Sequence, residues 1–190
     1  MIRHTLPLAA LALVLAACGG AETAPSDDTS SGAQQAPAAD RFEGTKLVVN
    51  ANGVAGASAD SAMVLRFGSP RADVEKLAES AWGSAGETSR QEECGAGPMD
   101  FVSYGPLQLA FQDDKFAGWF LQNGEGVATS DGIRPGVTID ALKSERQVRE
   151  IESTLPGEFE YTTGDFGTIR GFSEGGTITG LQAGLSCFFR

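Results

Sequence analysis

Hydrophobic residues recur at helical spacing in one segment of the first half of the chain. The apolar positions lie three or four residues apart: Val74, Leu77, Ala78 and Ala81. Ser69 and Pro70 precede them as start signals, and Gly83 follows them as a stop signal. The spacing therefore predicts an amphipathic helix of about twelve residues.

On both sides of this helix the hydrophobic pattern is typical of short strands. Opening strands are predicted at residues 47–50 and 62–67, and three more follow the helix at residues 99–104, 107–111 and 116–122. Gly-Pro and Asp-Asp turns separate the last three, and the Asp-Asp pair is predicted to be a two-residue hairpin turn. The first half is therefore predicted to be a helix followed by antiparallel strands.

The second half repeats this order of elements. A helical region is predicted between Pro135 and Pro156, with Leu142, Val148 and Leu155 among its apolar positions. Strands are then predicted at the following ranges: residues 159–162, 168–172, 177–183 and about 186–189. Glycine and apolar positions of the two halves match at a constant offset of 62 residues, for example Gly118 and Gly180. We interpret this offset as a diverged internal duplication, with modules at about residues 62–122 and 133–190.

The predicted fold class is therefore α+β, with the globular part spanning residues 41–190. It is expected to contain one antiparallel sheet with helices on one face, built from two tandem modules in which strands follow a helix. Such a domain of about 150 residues is large enough for its own hydrophobic core.

The amino-terminal segment has the features of a lipoprotein export signal. An apolar stretch over residues 6–17 follows Arg3 and is too short to span a bilayer as a stable helix. It ends in Leu15, Ala16, Ala17 and Cys18, which resembles the lipobox of bacterial lipoproteins. The resemblance implies removal of residues 1–17 as a signal peptide and attachment of diacylglycerol, with palmitate as a typical acyl chain, to Cys18. The alternative is ordinary secretory cleavage next to a chance cysteine.

The residues after Cys18 indicate a tether and a location. Residues 19–40 contain no aromatic and no branched aliphatic residue, so residues 18–40 are expected to be the lipidated cysteine and a disordered tether. In the lipoprotein family an Asp directly after the cysteine favours the inner membrane, and here the residue is Gly19. The resemblance therefore implies the outer membrane, with the domain facing the periplasm.

The charge balance excludes one class of partner. The chain has 14 Lys and Arg against 25 Asp and Glu, a net charge of −11 that becomes −12 when Arg3 leaves with the signal. Such a surface repels phosphate backbones and anionic headgroups. We therefore expect no nucleic-acid partner, and membrane attachment through the lipid anchor alone.

Two cysteines remain besides Cys18. In an oxidising compartment Cys94 and Cys187 are expected to form one disulfide. In the chain-entropy model this bond stabilises the fold by about 4 to 5 kcal/mol. The alternative is two buried free thiols.

The residue types that remain argue against an enzyme. The only histidine is His4, which leaves with the signal, so histidine-dependent hydrolase and metal sites are excluded. The candidate carboxylates for acid–base chemistry lie in polar runs or turns: Glu92, Glu93, Asp113 and Asp114. The calcium-type side chains of Asn123, Glu125 and Asp131 lack the twelve-residue loop pattern. We therefore predict no catalytic residue, no metal and no cofactor.

The hairpin over residues 107–121 supplies the candidate site. With a two-residue turn and regular pairing, Leu109 opposes Gly118 and Leu107 opposes Phe120, which places these residues under the helices. The other face then carries Trp119 and Leu121. This second face is predicted to be a partner-binding surface formed by Phe101, Gln108, Trp119 and Leu121.

This interpretation of the hairpin has an alternative and a test. In the alternative, the opening strands or the loop of residues 53–60 cover the Trp119 face. If the face is instead exposed and binds a partner, Trp119→Ala leaves folding intact and abolishes partner capture.

A second resemblance concerns the globular part. The stretch Arg134-Pro135-Gly136-Val137-Thr138 enters a helix that antiparallel strands follow. It resembles the small helix-plus-hairpin modules of envelope lipoproteins involved in outer-membrane assembly. Two such modules in tandem, over about residues 60–190, resemble the architecture of β-lactamase inhibitory protein, a sheet with helices on one face and a concave partner-binding face.

The second resemblance implies binding or assembly rather than catalysis. We therefore predict a periplasm-facing lipoprotein that binds an envelope protein or component through one sheet face. The alternatives are a carboxylate-dependent hydrolase acting on envelope glycan and a purely structural envelope protein.

Overall fold

The described part of the chain folds into two β-sheets. The computed structural model describes residues 40–58, 61–163 and 167–187. The smaller sheet has four strands in the order β3-β2-β1-β8. Its strands are β1 (Leu47–Asn50), β2 (Gly53–Ser58), β3 (Ser61–Arg66) and β8 (Val127–Thr129). β1 pairs with β8 in parallel, and its other pairing, with β2, is antiparallel.

The larger sheet has eight antiparallel strands in the order β4-β5-β6-β7-β12-β11-β10-β9. Its first four strands are β4 (Glu87–Gln91), β5 (Met99–Tyr104), β6 (Leu107–Gln112) and β7 (Lys115–Gln122). Its last four are β9 (Val148–Glu150), β10 (Glu158–Thr162), β11 (Thr168–Glu174) and β12 (Thr177–Gly184). The central pairing of β7 with β12 joins the two halves of the sequence into one sheet.

In the described ranges, two α-helices accompany the sheets. α1 (Arg71–Trp82) buries Val74, Leu77 and Ala78, and it ends at Gly83 in the left-handed conformation, as the sequence predicted. α2 (Ile139–Glu145) begins at Thr138, whose hydroxyl accepts a hydrogen bond from the Ala141 N–H. A short 3-10 helix (Asp40–Phe42) precedes β1.

The larger of two hydrophobic clusters in the described ranges lies between the two sheets. Residues of β1, β2 and β8, such as Leu47, Val54 and Val127, pack in the same cluster as the α1 residues and one face of the large sheet. We name this the covered face. The opposite face of the large sheet, which carries Gln108 and Phe120, is named the open face.

The two halves of the large sheet repeat the same geometry at an offset of 62 residues. A register shift lies between Ala110 and Phe111 in the β6–β7 pair, and an equivalent shift lies between Phe172 and Ser173 in the β11–β12 pair. The start of each helix is also bonded to the second strand of its hairpin in the same way. Gly68 N–H donates to the Phe116 carbonyl, and Gly136 N–H donates to the Ile178 carbonyl.

The predicted fold class is wrong. Of the described residues, 47% are in strands and 15% in helices, and the fold is β-sandwich-like rather than an α+β sheet covered by helices. The physical reason is that the opening segment covers the large sheet with strands: β1, with alternate residues Leu47 and Val49 buried, is bonded to β2 and β8. The two helices add to the same core, α1 through Val74, Leu77 and Ala78 and α2 through Leu142.

The second helix is also shorter than predicted. α2 ends at Glu145, and the next residues form β9, with Val148 opposite Tyr161. A β-branched residue between extended neighbours favours a strand, and pairing with β10 decides the outcome. Of the final strand predicted near residue 186, Ser186 and Cys187 are not in a strand, and the rest lies outside the described residues.

The export signal, Cys18 and most of the tether lie outside the described residues. Within the described ranges, the helices are too short or too polar to cross a bilayer.

Candidate binding site on the open sheet face

A β-bulge in the central hairpin decides which side chains reach each face of the large sheet. The turn is the predicted two-residue turn, with Gln112 opposite Lys115 and positive φ at Asp113 and Asp114. After Phe116, however, Ala117 is an extra residue on β7, so that Ala110 pairs with Gly118. One extra residue moves every later side chain of the strand to the other face.

The bulge overturns part of the predicted site. Trp119 pairs with Leu109 and Leu121 pairs with Leu107, so both lie on the covered face, where they are 1% and 0% exposed. Phe120, expected in the core, lies instead on the open face opposite Gln108. Phe101 and Gln108 do lie on the open face, although Phe101 is only 7% exposed. The expectation of an exposed patch containing Phe101, Trp119 and Leu121 is therefore wrong.

Trp119 links the two sheets. Its indole N–H donates a 2.8 Å hydrogen bond to the carbonyl of Asn50 at the end of β1. The opening strands thus cover this side chain, which was the alternative left open by the sequence. Trp119 acts as a core residue with a satisfied polar atom.

The C-terminal segment crosses the open face as a strap, defined as residues 184–187. Leu185 N–H donates to the Ala117 carbonyl at 2.9 Å, next to the bulge. The strap passes so close to β7 that a Cβ on Gly118 would lie 2.2 Å from the Leu185 carbonyl oxygen, so only glycine fits there. Cys187 then forms a disulfide with Cys94 in the loop between β4 and β5, which confirms the predicted pairing.

The strap and the sheet form the walls of a partly open pocket of about 270 Å³, named the strap pocket. Its floor contains Phe101, Gln108, Ala110 and Phe120 from the open face, and Ser89 lies on its β4 side. Leu185, Ser186 and Cys187 form the strap side. The pocket thus combines apolar floor groups with hydroxyl and amide groups, the composition of a small-ligand site.

A row of paired side chains continues from this pocket across the open face. We name it the central row; in strand order from β6 to β9 it contains Gln108, Phe120, Gln182, Arg170, Glu160 and Arg149. Each is the direct neighbour of the next on the adjacent strand. With strands about 4.8 Å apart, the row is about 24 Å long.

Gln182 is the unusual member of the row. It is 3% exposed, and neither its amide nitrogen nor its amide oxygen has a hydrogen-bond partner among the described residues. It lines a second pocket of about 300 Å³ together with Thr168, Arg170 and Glu160, named the amide pocket. A buried polar group left unpaired costs about 1–3 kcal/mol.

The charges beside Gln182 compensate one another. An Arg149 Nη2–Glu160 Oε1 contact of 2.6 Å and an Arg170 Nε–Glu160 Oε2 contact of 3.9 Å join three members of the row. Glu158, also on this face, is buried. The two arginines and two glutamates give this end of the open face no net charge.

Two tyrosines with raised pKa values lie on the covered face. Burial raises the pKa of the Tyr104 hydroxyl to about 12, and burial also raises the pKa of Tyr161. Neither hydroxyl lines the strap pocket or the amide pocket. These shifts therefore belong to the core.

The other chemical candidates have structural roles. Asp113 and Asp114 form the hairpin turn, and Glu92 and Glu93 are exposed. Asp131 accepts hydrogen bonds from the Thr129 hydroxyl at 2.6 Å and from Arg146 Nε at 3.1 Å. Within the described ranges, no three His, Cys, Asp or Glu side chains lie together as metal ligands would.

Sequence reasoning missed Phe120 and Gln182. For Phe120 a signal existed: regular pairing put Trp119 and Leu121 on an open face, and a bulge removes that anomaly. The unpaired state of Gln182 has no sequence signal, because it depends on the strands packed around it.

Comparison of the chain with models of protein families, with curated proteins and with solved structures found no match.

Proposed function

We propose that this chain is a lipid-anchored protein of the bacterial envelope that binds a ligand, without catalysing a reaction, on the open face of its eight-stranded sheet. The lipobox around Cys18 supports the anchor, and the Cys94–Cys187 disulfide is compatible with an oxidising compartment outside the cytoplasm. The tether then lets the domain stand away from the membrane surface.

The strap pocket is the observation that carries the binding role. A chain segment crosses the open face at the bulge and is held there by a disulfide, which leaves a partly open pocket of about 270 Å³. Three residues of the predicted partner-binding set, Phe101, Gln108 and Trp119, line it, although Trp119 is buried. The strap keeps this space preformed, and a preformed pocket lowers the entropic cost of binding.

The experiment places a photo-crosslinking amino acid, p-benzoylphenylalanine, in the full chain in its native cell. One variant carries it at Gln108, on the floor of the strap pocket. The matched control carries it at Val64 on β3, which is 59% exposed and belongs to the other sheet. We expect a crosslinked adduct from position 108 that position 64 does not give.

Two results would overturn the proposed function. The first is the same set of adducts from both positions, because crosslinking by random collision does not distinguish the two faces. The second is no adduct at position 108 in a chain that is folded and located in the envelope.

A further inference from the structure

A residue in the wall of the amide pocket, Gln182, carries a buried hydrogen-bond donor and acceptor that are not used. Gln182 is buried, lines this pocket, and has both amide atoms unpaired among the described residues. Buried amides in folded proteins are normally satisfied, so an exception that faces a pocket indicates a partner from outside the chain. The matching partner is a group that also donates one hydrogen bond and accepts one, such as a secondary amide.

The charges of the pocket favour a neutral ligand. The charged residues that line the pocket are Arg170 and Glu160, whose charges balance, so that the pocket offers no excess of either charge. The chain as a whole is acidic, with a net charge of −11, and repels anions at long range. A phosphate or carboxylate ligand would therefore meet neither a cationic pocket nor a cationic surface.

The neighbours of Gln182 favour a sugar ring. Phe120 lies directly beside it in the central row, with Gln108 on the other side, so that two amides flank one aromatic ring. The ring is partly exposed and meets Phe172 edge-on, with 6.3 Å between ring centroids. An exposed aromatic face packs against the C–H face of a pyranose, while amides bond its substituents.

We propose that the central row binds a neutral oligosaccharide that carries N-acetyl groups. The acetamido N–H donates to Gln182 Oε1, the acetamido carbonyl accepts from Gln182 Nε2, and a neighbouring sugar ring packs on Phe120. This inference rests on the proposed function, because it names the ligand of the same face. A peptide in strand form is the weaker fit, since it would pair with the sheet edges, β4 and β9, and not with a row of side chains at the sheet centre.

The test titrates the purified full chain in detergent with three uncharged probes. These are the β-1,4-linked tetramer of N-acetylglucosamine, the β-1,4-linked tetramer of glucose, and tetra-alanine with blocked ends. Calorimetry gives the affinity, and NMR follows the side-chain NH2 signals of Gln182. We expect the N-acetylated tetramer to shift these signals and to bind at least tenfold more tightly than the glucose tetramer and the peptide.

Two variants separate recognition from folding. Gln182→Met retains the side-chain volume and removes the amide, so it is expected to fold at least as stably as the native chain and to bind the N-acetylated tetramer at least tenfold more weakly. Gln108→Met removes the other amide of the row and is expected to weaken binding as well. Gln147→Met, at an exposed residue between α2 and β9, is the matched control and should bind normally.

The inference is overturned by equal affinity for the two sugar tetramers, by tighter binding of the peptide, by no binding of any probe, or by full affinity in Gln182→Met. These failures are distinguishable from failure of the proposed function. An adduct at position 108 together with no sugar binding rejects the sugar and keeps the binding face, whereas absence of the adduct rejects the face.

Discussion

The two faces of the eight-stranded sheet differ in composition and in role along the central hairpin. On the covered face, Trp119 and Leu121 are buried and Trp119 bonds to β1. On the open face, Phe120 and Gln108 line a pocket below the strap. Adjacent residues of one strand thus belong to the core and to the candidate site, and the difference is set by one bulge residue, Ala117.

The largest expected effect is the loss of a core anchor. Trp119→Ala removes the largest fully buried side chain and its hydrogen bond to Asn50, so we expect a loss of about 3–5 kcal/mol in the free energy of unfolding. Phe120→Ala, one residue away on the open face, should cost only about 1–2 kcal/mol. Chemical denaturation of both variants measures the contrast. Equal losses would show that the two faces are not packed differently.

The second prediction concerns the strap. Replacing both Cys94 and Cys187 by alanine is expected to cost about 2–5 kcal/mol, because the unfolded chain is no longer constrained. It should also release residues 184–187 from the open face, which hydrogen exchange of the Leu185 N–H would detect. A Leu185 amide that stays as protected as in the native chain would contradict the role of the disulfide in holding the strap.

The third prediction is a gain in stability. Gln182→Met removes a buried amide that has no partner among the described residues, so we expect the free energy of unfolding to rise by about 1–3 kcal/mol in the absence of ligand. The control is Gln112→Met, which should lower stability because the Gln112 amide donates to the Ala96 carbonyl at 2.7 Å. A stability loss in Gln182→Met would mean that the amide supports the fold.

The smallest effect is expected at alkaline pH and comes from the covered face. The pKa of Tyr104 is raised to about 12 in the fold, against about 10 in an unfolded chain. The unfolded chain therefore releases this proton first, so the stability contribution is complete below about pH 10 and is lost as the pH rises towards 12. Denaturation curves at pH 9 and 11 measure how steeply the free energy of unfolding falls with pH. Tyr104→Phe should reduce this slope, and an unchanged slope would contradict the assignment.

Periodicity predicted the local elements well and the layers poorly. The helix ending at Gly83 and the hairpin turn at Asp113 and Asp114 were correctly expected because spacing and turn chemistry are local, and the disulfide was correctly expected from the number of cysteines. The sheet that covers the large sheet was not predicted, because it depends on β1 pairing with β8, about 80 residues away along the chain.

The face assignment failed for a specific physical reason. A bulge adds one residue to a strand without changing the kinds of residue in it. The alternation of side chains between the two faces therefore looks continuous in the sequence before Phe116 and after Gly118. The same shift recurs in the β11–β12 pair at the matching position. Regular pairing of this hairpin exposes a tryptophan and a leucine on the same face. A rule that inserts a bulge to avoid such exposure would have assigned the observed faces.

Hydroxyl-radical footprinting of Trp119 and Phe120 tests the central claim most directly, because it compares neighbouring residues on opposite faces. The full chain is oxidised in its native envelope and again after purification, with the partly exposed Met63 on the other sheet as the control. We predict that Trp119 is protected in both samples, that Met63 is oxidised in both, and that Phe120 is protected in the envelope but oxidised in the purified chain. Equal oxidation of Phe120 in the two samples would contradict occupation of the open face.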